Sequence, residues 1–138
     1  MPKQEFLART QEIMKSPEWI IDGNFGSTID ERIQASDTII FLHYSRYLCI
    51  QRTLKRRVMY HNKTRPDMGE DCAEKIDLEF LKWIWDYPKE KAPLILQKLA
   101  SCSLTKNIII LHSPKQTNKW LQSINSSKLD FFKTNRTD

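Results

Sequence analysis

The chain has 138 residues, 40% of them apolar and 28% charged, with a formal net charge of +5 and a pI near 9.2. This balance excludes a disordered chain and fits one domain whose core removes roughly two thirds of the unfolded surface from water. The positive surplus admits an acidic partner (nucleotide, nucleic acid or anionic membrane), but it is equally common on ordinary soluble proteins.

In chain order, residues 3 to 15 read as a helix, with Phe6, Leu7, Ile13 and Met14 on one side. "EWIID" reads as a short buried strand ending at Asp22, and Gly23 and Gly26 mark a tight connection after it. Thr28 and Glu31 match a capping box, which places a helix start at Thr28. "DTIIFLHY" reads as a second strand, rich in branched and aromatic residues. Ser45 suits the cap of the next helix, whose apolar stripe is Tyr47, Ile50, Leu54 and Val58, with Arg52, Lys55 and Arg56 opposite.

"HNKTRPDMGED" is a polar loop, and residues 72 to 86 read as helical through Ile76, Phe80, Trp83 and Ile84. Pro88 and Pro93 punctuate this stretch, and a further helix runs to about Ala100. "KNIIILH" reads as a third strand, followed by a helix with Ser113 as cap and Pro114 at its first position. The expected domain covers residues 1–124, and residues 125–138 form a flexible tail. Strands alternating with helices imply a parallel, layered α/β sheet.

Cys49, Cys72 and Cys102 are odd in number and widely spaced, which argues against a disulfide framework. No Cys-x-x-Cys or clustered Cys/His spacing points to zinc, and the scattered His43, His61 and His112 read as structural or exposed. No apolar signal region opens the chain, and no stretch approaches ~18 apolar residues. The expectation is therefore a cytoplasmic protein without a membrane partner.

Three constellations bear on chemistry. Asp22, at a strand's carboxyl end and followed by a small Gly23, stands where α/β sheets place ligands. It suits Mg²⁺ held directly or through water; from spacing alone, a turn-forming Asp is the commoner role. Residues 46–65 form a basic segment carrying Arg46, Arg52, Lys55, Arg56, Arg57, Lys63 and Arg65 with no acid among them. Arg52 and Arg56 share a helix face and suit phosphate oxygens; a solvated face or pairing with Asp67, Glu70 and Asp71 is the alternative. In "LKWIWDYP", Trp83 and Trp85 suit core packing better than base stacking, because Phe80, Leu81 and Ile84 surround them.

"WIIDGNFGSTIDERIQASDTIIFL", "RTLKRRVMY", "KTRPDMGEDCAEKIDLEFLKWIWDYP" and "IIILHSPK" together resemble the DNA topology modulation proteins, small bacterial P-loop proteins similar to adenylate kinase. The resemblance runs from about Pro2 to Leu121, and "TRPDMGED" and "EFLKWIW" are its most specific parts. It implies an α/β, three-layer parallel sheet of the P-loop nucleoside-monophosphate-kinase type, in strand order 2-3-1-4-5. In that order the strands at 38–42 and 107–111 are neighbours and pair in parallel. The resemblance also implies ATP and Mg²⁺, with Asp22 and Gly23 at the cofactor and Asp22 assisting the metal through bound water. Arg52, Arg56 and Arg65 would contact phosphates, with Arg65 and Asp67 in a lid-like segment at about 60–72 that closes over them.

Two departures stand against that pattern. His43 occupies a position where family members are expected to carry an acid. Nothing in the sequence matches Gly-x-x-x-x-Gly-Lys-Ser/Thr, so the sheet is expected to be incomplete, without strands 1 and 2, and the chain inactive as it stands. The expected function is binding of nucleoside phosphates by a kinase-like fold. The alternative is a nucleic-acid-binding module using residues 46–65, with direct DNA contact.

Overall fold

A computed structural model describes residues 3–60 and 78–134, with side chains in the last helix described to residue 127. The described residues form six helices and a two-stranded parallel sheet, so the chain is α/β. The elements are α1 (Lys3–Met14), α2 (Ile29–Ala35), β1 (Thr38–Leu42), α3 (Arg46–Met59), α4 (Leu78–Glu90), α5 (Ala92–Ser101), β2 (Asn107–Leu111) and α6 (Pro114–Thr134). The chain divides into two compact units, Met1–Ile39 with Cys102–Ile109, and Ile40–Ser101 with Ile110–Asp138.

β1 and β2 pair in parallel, as the resemblance implies. The Asn107 N–H donates to the Asp37 carbonyl (2.9 Å) and the His43 N–H to the Leu111 carbonyl (2.8 Å), so partners advance together along both strands. The expected strand at 19–22 does not form. Those residues have no regular structure, and Ile20 is 97% exposed. An apolar run becomes a strand only where a neighbouring backbone accepts its hydrogen bonds, and the sheet of the described residues holds β1 and β2 alone.

In the first unit, Phe6 of α1 packs on Phe25, with ring centroids 4.7 Å apart. The buried Thr10 satisfies its hydroxyl by donating to the Phe6 carbonyl (2.9 Å). α2 begins where the capping box predicts, but Thr28 makes no side-chain cap; its hydroxyl donates to the Phe25 carbonyl instead. Glu31 accepts from Gln11 of α1 (3.2 Å), so its carboxylate is turned to another helix. Lys106 Nζ donates to the carbonyls of Gln34 (2.8 Å) and Ser36, tying the approach to β2 onto the end of α2.

In the second unit, α3 packs on α4 and α4 on α5. The buried apolar residues of the described chain are Ile84, Ala92, Leu99 and Leu111. Ser45 caps α3 by accepting from the Leu48 N–H (3.3 Å), and Ser113 caps α6 by accepting from the Gln116 N–H (3.2 Å), both as expected. α4 continues through Pro88 to Glu90; proline lacks the N–H that would bond back to Ile84, but the ladder resumes beyond it, where the Lys91 N–H donates to the Tyr87 carbonyl (2.9 Å). α6 continues past the expected boundary at residue 124 to Thr134.

The inward face of α3 is not the expected apolar stripe. Tyr47 is 70% exposed, Leu54 47% and Val58 81%, while Thr53 is buried and Cys49 and Arg56 are half-buried. The Thr53 hydroxyl donates to the Cys49 carbonyl (2.8 Å), which lets a polar residue occupy the buried line.

Candidate functional site

Asp22 and Gly23 lie in a loop of the first unit that Arg32 organises. Arg32 donates through Nη1 to the Gly23 carbonyl (2.9 Å) and through Nη2 to the Phe25 carbonyl (3.1 Å). Burial pushes the Arg32 guanidinium below its ordinary pKa, and the charge of Asp22 partly restores it. Gly23 adopts φ 107°, in the left-handed region, and an added Cβ would stand 2.5 Å from Cε2 of Phe25. The glycine is thus explained by the turn itself. Asp22 has a guanidinium for its charged neighbour, and no group of three or more His, Cys, Asp or Glu among the described residues is placed to hold a metal ion. The Asp22 carboxylate is nevertheless an oxygen donor of the kind a hydrated Mg²⁺ takes.

Arg52 and Arg56 lie on α3 in the second unit. The Arg52 guanidinium stands 5.7 Å from the centre of the Tyr44 ring, and Arg56 Nη2 donates weakly to Thr53 Oγ1 (3.5 Å). Both arginines act on Cys49: burial pushes its thiol pKa up, while the two positive charges pull it down. Arg52 and Arg56 therefore share one face, as their spacing predicts. Arg65 and the lid-like segment at about 60–72 lie outside the described residues, apart from Tyr60.

The second unit also holds a shallow cleft of about 350 Å³, lined by His43, Tyr44, Ser45, Arg46, Tyr47, Pro88 and His112. It sits at the carboxyl ends of β1 and β2, where parallel α/β sheets receive ligands. The rings of His43 and His112 meet edge to face with centroids 5.6 Å apart, and Phe41 stacks on His43 at 5.3 Å. The Arg46 guanidinium lies 4.7 Å from the centre of the Trp85 ring, and Tyr47 meets the same ring at right angles, 5.5 Å away. Tyr44 is hydrogen-bonded to Thr117, whose own hydroxyl donates to the Ser113 carbonyl (3.1 Å), so Tyr44 is the donor. The first turn of α3 thus brings a cation and the positive end of its dipole to the cleft.

Sequence reasoning treated the histidines as scattered. The signal for their meeting lay in the parallel between "IIFLH" and "IIILH": each histidine follows an apolar strand directly, and each is soon followed by a serine that caps a helix. No helix among the described residues is long and apolar enough to cross a membrane. Comparison with protein-family models, with characterised proteins and with solved structures returned no match.

Proposed function

We propose that this chain is a nucleoside-phosphate-binding domain of the P-loop-kinase type, similar to the DNA topology modulation proteins, and that phosphate is received at the carboxyl ends of β1 and β2. The observation that carries the reading is the cleft there, built from Arg46, two imidazoles and the first turn of α3, with no carboxylate among its described lining residues. Arg52, held beside the Tyr44 ring, extends the positive wall, and Arg56 follows one turn further along α3. Guanidinium groups suit phosphate oxygens through paired, charge-assisted hydrogen bonds. Any Mg²⁺ would arrive bound to the nucleotide phosphates.

The exposed Tyr47 and Trp85 beside this basic wall favour a second reading, in which single-stranded nucleic acid stacks its bases on these rings. Competition separates the two. A fluorescent ATP analogue bound to the chain is expected to be displaced by ATP or AMP and not by single-stranded or duplex DNA. Arg46→Ala is expected to weaken its binding about tenfold, the equivalent of one charge-assisted contact. Displacement by DNA and not by ATP or AMP would establish the second reading.

A further inference from the structure

β1 and β2 end alike, Leu42 leading into His43 and Leu111 into His112. The hydrogen bond from the His43 N–H to the Leu111 carbonyl fixes the register that brings the two imidazoles side by side. Phe41 covers one face of the His43 ring, and the Gln116 side-chain oxygen accepts from the His112 backbone N–H (2.7 Å), which anchors the backbone there.

Among the described residues that line the cleft around the pair there is no carboxylate. α3 brings Arg46 and Tyr47 to the cleft, the β1–α3 connection brings Tyr44 and Ser45, α4 brings Pro88, and α6 supplies the Gln116 amide behind His112. Charging both rings gathers three positive groups in one cleft, and a compact dianion supplies the opposite charge.

We propose that His43 and His112 make this cleft a proton-linked receptor for a compact dianion, namely the phosphate monoester end of a nucleotide. The identity of the ligand rests on the function proposed above; the proton link rests on the paired rings. Imidazole changes charge between about pH 5 and 8. A dianion that binds the charged rings takes up protons, so affinity is greatest when the rings are protonated and is lost as pH rises through that range. A phosphate monoester loses its second negative charge below about pH 6. Its affinity therefore passes through a maximum near that pH, whereas sulfate, which stays dianionic, keeps tightening.

The test is calorimetric titration of the full chain with AMP and with sodium sulfate at several pH values from about 5 to 8. Both ligands are expected to bind roughly tenfold tighter at about pH 6 than at pH 8. His43→Gln and His112→Gln should each flatten the response, with the fold of each variant checked by circular dichroism. His43→Lys keeps a charge at pH 8 and should hold the affinity up there. AMP binding equally well at both pH values would overturn the proton link and leave the nucleotide reading standing. A pH response with sulfate but no AMP binding would uphold the histidine pair and overturn the nucleotide reading. Binding of neither ligand at any pH would overturn both.

Discussion

Arg32 shows how a single side chain can hold a loop that lacks regular structure. It is only 9% exposed, and its two hydrogen bonds fasten carbonyls on either side of Asn24. Its Nε makes no hydrogen bond, so the guanidinium is kept by those two contacts and by the charge of Asp22. Replacing it by Met should cost about 1.5–3 kcal/mol, the range for hydrogen bonds to a charged group. Arg32→Lys should recover part of that loss, as read by urea denaturation. Cys49 gives a pH prediction at the same scale. Burial raises its thiol pKa against the pull of Arg52 and Arg56, so the folded chain binds the thiol proton more tightly than the unfolded chain does. Its contribution is neutral below the ordinary thiol range, and stability is lost as pH rises past about 8.5, where the unfolded thiol ionises first. Alkylation of Cys49 by iodoacetamide should therefore be slower than that of a free thiol at about pH 8.5, and slower still in Arg52→Ala.

Helix starts in this chain follow local chemistry where the cap has no competing partner. Ser45 keeps extended geometry (φ −62°, ψ 145°) and accepts from Leu48. Thr28 sits at φ −123°, ψ 2° and turns its hydroxyl back to Phe25. Ser45→Ala should lower stability by about 1 kcal/mol, measured by thermal unfolding, because it leaves a helix-terminal N–H without its acceptor. Ser45→Asp should restore the cap and add a favourable interaction with the positive end of α3. A loss in Ser45→Asp as large as in Ser45→Ala would show that the serine matters for packing rather than capping.

At the scale of the whole molecule, few large apolar side chains of the described residues are fully buried, and Leu99 is one of them. Ile20, Val58 and Leu104 are 97%, 81% and 100% exposed. Secondary structure here is more complete than the covering of its apolar faces. The chain also lacks the glycine-rich loop and lysine that cradle nucleotide phosphates in P-loop enzymes. Incubation with ATP, Mg²⁺ and a panel of nucleoside monophosphates should therefore yield no nucleoside diphosphate above a blank, even where nucleotide binds. Diphosphate formation at a rate that rises with protein concentration would overturn this expectation.

The sequence by itself determined β1, β2, the helices around them and the caps at Ser45 and Ser113, because each depends on residues within a few positions of one another. It also placed Arg52 and Arg56 on one helix face, since helical spacing is local. Residues 19–22 have the composition of a strand, but a strand needs a partner backbone, and composition does not report one. The buried face of α3 was decided by what packs against it: Thr53 goes inside because its own helix satisfies its hydroxyl, while Tyr47 and Val58 remain exposed. Only the tertiary structure decided the cleft. His43 and His112 are far apart along the chain, and the register of two parallel strands sets their rings 5.6 Å apart, because backbone hydrogen bonds fix which residue of one strand ends beside which residue of the other.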